Sequence, residues 1–260
     1  MSQATRQNQI LEWIAQRGEC SVDELVERFR VSGMTIRRDL QTLADQGKVI
    51  RTHGGAAMAE RVSFEFEFLK HVREHQAAKE AIAAAAAAQV RDGESVLLDS
   101  GTTTLALAKC LRGKRGLTVI TTSLPIAAQL QFESQIAVLL LGGYLRATSP
   151  DLAGALTEAN LESLHADVAF LGAQGIDREG MVYQDSPELA HMLKKMAASA
   201  TRVFVVADSS KLGRAALCRL ERLRQWKATL VTDDGADRSM LASLKKAGAS
   251  VIKARTLIKP

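Results

Sequence analysis

Hydrophobic positions in the N-terminal quarter of the chain recur with helical spacing, whereas farther on they gather in short continuous runs. Arg6 to Arg17 place Ile10, Leu11 and Ile14 on one face and stop at Gly18, a residue suited to the left-handed position after a helix. Ser21-Val-Asp-Glu24 has the spacing of a capping box, and Val22, Leu25, Val26 and Phe29 form an i, i+3, i+4, i+7 stripe behind it. A further helix is expected over 31–43, with Ser32 as its N-cap and Ile36, Leu40 and Leu43 as its core stripe. Only Arg30 and Val31 separate these last two helices, which makes them a helix-turn-helix. Gly47 ends the third helix. Residues 48–55 then mix β-branched side chains with a glycine pair and predict a small β-hairpin, the wing of a winged helix.

Residues 61–68 alternate apolar and acidic side chains, predicting a short strand or an extended connector. Lys70 to Val90 reads as one helix, whose alanine run over 81–88, interrupted by Ile82, allows close packing. Apolar runs follow at 95–99, 117–121, 136–142, 166–172, 201–208, 228–233 and 249–254, with helical stretches near 103–112, 124–132, 186–200 and 236–247. Continuous Val/Ile/Leu strands separated by helices predict a mainly parallel sheet covered on both faces. The expected fold is therefore α/β: a winged helix-turn-helix over 1–57, a linker over 58–75 and a larger α/β domain over 76–256.

A length of 260 residues suffices for one small and one medium domain, each with its own core. The net charge of +5 favours an anionic partner only weakly, and its distribution says more. From Arg30 to Ala57 five basic residues (Arg30, Arg37, Arg38, Lys48, Arg51) stand against Asp39 and Asp45, while the preceding residues are net acidic. Cys20, Cys110 and Cys218 are odd in number, far apart and in no CxxC pair, so neither a disulfide framework nor a zinc site is expected. They read as small buried hydrophobes in a reducing compartment. The segment MSQATRQNQI carries no apolar signal core, and no apolar run is long enough to span a bilayer; a cytoplasmic protein is expected.

On a helical wheel Met34, Arg38 and Gln41 lie across from the core stripe of the third helix, with Thr35, Arg37 and Thr42 on its flanks. Arginine and glutamine hydrogen-bond base edges bidentately, and threonine and arginine also reach phosphates. Ser32 at the helix start and Lys48, Arg51 and His53 in the wing complete a candidate DNA-binding set. Asp39, beside the core stripe, is assigned a local ion pair.

The strand ends carry the second candidate site. Asp99-Ser-Gly-Thr-Thr-Thr104 follows a strand and opens a helix, so backbone N–H groups and hydroxyls can hold an anion there. No Gly-Lys-Ser/Thr follows, so it is not a P-loop. Thr121-Thr-Ser123, Gly142-Gly143 with Arg146, Gly172-Ala-Gln-Gly-Ile-Asp177 and Asp208-Ser-Ser-Lys211 occupy equivalent positions. Each alone is a helix cap or a tight turn. Five at the carboxyl edge of one parallel sheet point to a crevice suited to a phosphorylated polyol or sugar. No cofactor or metal is expected.

The segment VSGMTIRRDLQTLADQGKVIRTHGGA resembles the helix-turn-helix and wing of the DeoR family of bacterial transcriptional regulators. Val31, Ser32, Thr35, Ile36, Arg37, Arg38, Asp39, Leu40, Leu43, Gly47, Arg51, His53, Gly54, Gly55 and Ala56 match its pattern. The motifs over 76–256 are likewise similar to the DeoR-type sensor domain, a relative of the ribose-5-phosphate isomerase and glucosamine-6-phosphate deaminase folds. The resemblance implies a phosphorylated sugar or related metabolite as effector, weakening the hold on operator DNA. Residue by residue it implicates Asp99, Gly101, Thr102, Thr103, Thr104, Thr121, Ser123, Gly142, Gly143, Arg146, Gly172, Asp177, Lys194, Asp208 and Lys211. At Thr122 and Ser123 family members often carry asparagine. Gln174 stands where the isomerases have a carboxylate, and an amide cannot act as the base for proton transfer between sugar carbons.

The leading reading is a sugar-phosphate-responsive repressor of carbohydrate-metabolism genes, bound to double-stranded operator DNA as a homodimer or homotetramer. Its rival is a sugar-phosphate isomerase-like enzyme with a DNA-binding arm, in which Asp177, Glu188 and Lys211 would be the reactive groups. A nucleoid-type DNA binder, with no metabolite response, is a third reading that the crevice disfavours.

Overall fold

The computed structural model describes residues 2–59, 68–146 and 149–256. Two compact units divide the chain near residue 71.

In the first unit, α1 (Gln3–Arg17), α2 (Val22–Phe29) and α3 (Gly33–Asp45) surround a core in which Ile10, Ile14, Leu25, Ile36 and Leu40 are fully buried. Each helix begins on a serine. Ser2, Ser21 and Ser32 accept from the backbone N–H of Thr5, Glu24 and Thr35, and the capping box at Ser21–Glu24 is complete. Arg30 turns the chain between α2 and α3 in the left-handed region (φ 51°), which is how so short a connection redirects the second helix. β1 (Glu19–Ser21), β2 (Val49–Thr52) and β3 (Gly55–Met58) form an antiparallel sheet in the order β1-β3-β2, and β2–β3 is the wing. A Cβ at Gly55 would collide with the carbonyl oxygen of Cys20, so only glycine lets β3 lie against β1. Asp39 is buried and its partner is not local: Arg6 of α1 donates to it at 2.6 Å and Gln7 at 3.2 Å.

The second unit is built on a seven-stranded, wholly parallel sheet in the order β15-β14-β12-β9-β4-β5-β6. Its strands are β4 (Ser95–Leu98), β5 (Leu117–Thr121), β6 (Ile136–Leu140), β9 (Ala166–Gly172), β12 (Ala200–Val206), β14 (Thr229–Asp233) and β15 (Ser250–Ala254). These are the seven apolar runs, each continuous because both faces of the strand are packed over most of the sheet. Phe170 of β9 stacks on Phe204 of β12, ring centroids 5.1 Å apart, at the middle of that core.

The flanking helices are α4 (Gln76–Ala87), α5 (Thr102–Cys110), α6 (Leu124–Leu130), α7 (Ala155–Glu162), α8 (Pro187–Ala198) and α9 (Arg238–Lys246). The helix expected over 70–90 is broken, since His75 lies in the left-handed region (φ 51°) and α4 starts after it. The connector expected at 61–68 falls, apart from Phe68, outside the described residues. Unforeseen elements are α7, the two-stranded ribbon of β7 (Tyr144–Leu145) and β8 (Leu152–Ala153), and the antiparallel sheet β10-β11-β13. The last comprises Gly175–Ile176, Met181–Gln184 and Cys218–Arg222, pieces too short and too polar to show a period. Of the cysteines only Cys20 is buried; Cys110 is exposed and Cys218 half-buried. Among the described residues no helix is long and apolar enough to cross a membrane.

Candidate functional site

The exposed face of α3 is as its wheel demands. Met34 is 61% exposed, Arg37, Arg38 and Gln41 stand in solvent, and Thr35 and Thr42 sit half-buried on the flanks. Gln41 donates to Asp45 at 2.8 Å and the Thr42 hydroxyl to the Arg38 carbonyl at 3.0 Å, so two of the polar groups are steadied along the helix. In the wing His53 is exposed at the turn, whereas Lys48 and Arg51 are half-buried. Ser32 spends its acceptor on the N-cap.

In the second unit the chain passes from β4 to β5 and β6 on one side, then returns to β9 on the other. The strand order reverses there, and such a switch point opens a crevice at the carboxyl edge of a parallel sheet. Asp99 stands on it. Its carboxylate accepts from Gly101 N at 3.0 Å, from the Thr104 hydroxyl at 2.6 Å and from Gly172 N, at the end of β9, at 2.5 Å. Burial pushes the Asp99 carboxyl up from the usual range, against the downward pull of those three donors. α5 begins here with Gly101 as N-cap and no side chain capping it, which leaves its first N–H groups without a side-chain acceptor; Thr102 is half-buried and Thr103 buried in its first turn.

Next along the edge, Thr121 accepts from Ser123 N and Ser123 caps α6. Gly142 is held between Asn160, which accepts from its N–H, and Thr157, whose hydroxyl donates to its carbonyl. A Cβ on Gly143 would collide with Thr157, and its φ of 151° is glycine's territory. Arg146 pairs bidentately with buried Asp151, both contacts at 2.8 Å, and Ser100 donates to the same carboxylate at 2.6 Å. Asp99, Ser100, Thr122, Arg146 and Asp151, together with Glu188, Met192 and Met196 of α8, line a pocket of about 300 Å³, counting space open to solvent.

Other expected residues do different work. Asp177 accepts from the N–H groups of Glu179 and Met181 and from the Tyr183 hydroxyl, which closes the β10–β11 hairpin. Asp208 accepts from Ser210 N and shapes the turn that carries Lys211, and Lys211 donates to Gln174 at 2.7 Å. Lys194 is exposed on α8 and does not line the pocket. Asp177 thus belongs to the β10–β11 hairpin and Lys211 to Gln174, while Glu188 lines the pocket without either of them.

Asp151, Ser100 and Lys79 are the polar groups that sequence reasoning passed over. Asp151 follows Ser149-Pro150, and nothing in its spacing marks a partner five positions back. Lys79 is only 7% exposed on α4, where an alanine run announced plain packing. Burial lowers its ammonium from the ordinary lysine value and Lys211 reinforces that, while Asp208 opposes it, so all three charges gather at one end of the sheet.

Two family models match the chain: the DeoR-like helix-turn-helix domain over residues 6–62 and the DeoR C terminal sensor domain over 74–234. A putative aga operon transcriptional repressor from Escherichia coli O157:H7 is 32% identical, covering 95% of this chain and 92% of its own. The glycerol-3-phosphate regulon repressor of Escherichia coli K12 is 34% identical, covering 85% and 87%. Among solved structures, ribose 5-phosphate isomerase A from Neisseria gonorrhoeae aligns with a TM-score of 0.39 at 19% identity, covering 52% of each chain. The chain belongs to the DeoR family of transcriptional regulators.

Proposed function

We propose that this regulator is a cytoplasmic repressor of carbohydrate-metabolism genes, released from its operator by a phosphorylated sugar or sugar acid. The winged helix over 1–57 reads DNA, 58–75 links, and 76–256 senses. Met34, Arg38 and Gln41 address base edges, while Thr35, Arg37, Thr42, Lys48, Arg51 and His53 address the backbone. The effector occupies the crevice edge formed by Asp99, Gly101 to Thr104, Thr121, Ser123, Gly142, Gly143, Arg146 and Gly172, with Lys211 and Lys79 towards its far end. The observation that carries this reading is the uncapped N-terminus of α5 beside buried Asp99, at the point where the strand order reverses. The name of one relative, the glycerol-3-phosphate regulon repressor, supports this class of metabolite. Isomerase chemistry is disfavoured because the residue facing Lys211 is the amide of Gln174.

Release needs only differential affinity: about 1.4 kcal/mol in favour of the state that binds DNA poorly gives tenfold derepression. The test is thermal stability of the full chain against a panel of phosphorylated sugars and sugar acids. A compound at 100 times its Kd stabilises by about 2.7 kcal/mol. One such compound should also weaken binding in an operator titration; no stabilising compound in the panel, or one that leaves operator binding unchanged, overturns the proposal.

A further inference from the structure

The parallel sheet ends differently on its two sides. β15 carries Lys253 in its exposed outer row, a residue type that blunts strand edges. β6, Ile-Ala-Val-Leu-Leu, carries no charge at all, and among the described residues β5 is its one neighbouring strand. In the β5–β6 register Ile120 faces Leu139, so the two share one face of the sheet. Ile120 is 3% exposed and Leu139 is 41% exposed, so the cover over that face stops one strand short.

Exposed apolar side chains collect around this edge. Phe132, in the turn leading into β6, is 89% exposed; Tyr144 and Leu145, in the ribbon leaving it, are 84% and 53% exposed. Leu156 of α7 is 59% exposed and lies beside the end of β6, since a Cβ on Gly142 would sit 3.5 Å from it. With Leu139 and Leu140 these are six of the eleven exposed large apolar side chains among the described residues.

We propose that β6 and these side chains form the interface with a second copy of this chain, the two β6 strands pairing antiparallel across a two-fold axis. A strand edge is self-complementary about such an axis, so one surface supplies both halves of an isologous contact. The area fits. Two aromatic side chains supply about 300 Å² at roughly 150 Å² or more each, against about 800 Å² per partner in a standard interface; four leucines and the strand backbone supply the rest. The choice of a second copy rests on the proposed operator function, in which a two-fold protein meets paired half-sites.

The test is the mass of the full chain by light scattering after gel filtration, with neither DNA nor effector present, so that its outcome is independent of either ligand. Wild type should run at twice 28.1 kDa or a higher multiple. Leu139→Lys and Phe132→Ser should each at least halve that mass with the far-UV circular dichroism preserved, and Leu217→Lys, on an exposed leucine elsewhere, should not. A wild-type mass of 28.1 kDa overturns the assignment. So does an unchanged mass in whichever edge variant stays folded. Because Phe132 lies in a turn, that variant remains informative if a lysine within β6 unfolds the sheet.

Discussion

In the winged-helix unit the side chains proposed to meet DNA stand outside the core: Met34, Arg37, Arg38 and Gln41 are exposed, and Ile36, Leu40 and Leu43 hold the helix from behind. In the α/β unit the arrangement is inverted. Asp99, Thr104, Thr121, Ser123, Asp151, Asp208 and Asp233 are all buried, and each bonds to a backbone or a neighbouring side chain. A surface that reads a large partner can leave its polar groups solvated until contact. A crevice for a small ligand must fix its polar groups beforehand, and those groups become part of the fold. Substitution at polar sites should therefore cost stability in the second unit and little in the first.

The largest expected loss is at Asp99. Asp99→Ala leaves the N–H groups of Gly101 and Gly172 without their acceptor, at about 1–3 kcal/mol each. Urea unfolding should show a total loss of about 2–6 kcal/mol, and a loss below about 1 kcal/mol would mean that the crevice polar groups are not structural. Asp99→Asn separates charge from shape. Because burial raises the folded carboxyl above its unfolded value, its contribution is complete below about pH 3.9 and is lost as pH rises through the folded value. The asparagine variant should show a flatter profile over that window.

Asp39 is the exception inside the first unit, and it sharpens the contrast. It lies beside the core stripe of α3, where a local ion pair was expected, yet it is 1% exposed and receives Arg6 and Gln7 from α1. Asp39→Ala should cost about 1.5–3 kcal/mol, the range for hydrogen bonds to a charged group, measured by denaturation of the full chain. A value near zero would return Asp39 to the class of solvated residues.

The same contrast explains what was legible in the sequence. Every strand of the parallel sheet was visible because burial on both faces demands continuous apolar runs, and the helix-turn-helix was visible because a half-buried helix must repeat at 3.6 residues. The polar strand ends were visible as a group, since Asp99-Ser-Gly and Gly142-Gly143 punctuate apolar runs. Their individual duties were not. Asp177 and Asp208 look alike in sequence to Asp99, but one closes a hairpin and one shapes a turn, and only the fold says which. Lys79 and Asp151 were hidden for the complementary reason that their surroundings in sequence announce something else: an alanine run that reads as plain packing around Lys79, and a Ser-Pro loop before Asp151.

A smaller effect tests the first unit by pH. Cys20, in β1 and paired with Ala56 of β3, is buried, and burial, aided by Glu24, pushes its thiol up to about 11. The thiol form is the one the fold accepts, so its contribution is complete below about pH 8.5, the unfolded value, and is lost as pH rises towards about 11. Cys20→Ala should remove this alkaline component from the unfolding midpoint of the first unit. An unchanged alkaline slope would assign it to another group.

Arg38→Ala should change stability least and function most. The side chain is exposed on the face opposite Ile36 and Leu40, so its removal should stay within about 0.5 kcal/mol in denaturation. Bidentate base contacts are worth about 1–3 kcal/mol of discrimination, so operator affinity should fall about fivefold to 150-fold while binding to unrelated DNA falls less. Equal losses on both DNAs would make Arg38 a phosphate contact and pass base reading to Met34 and Gln41, the other two residues across from the core stripe. A stability loss comparable to that of Asp99→Ala would remove the distinction between the two units altogether, because an exposed side chain would then be carrying the fold.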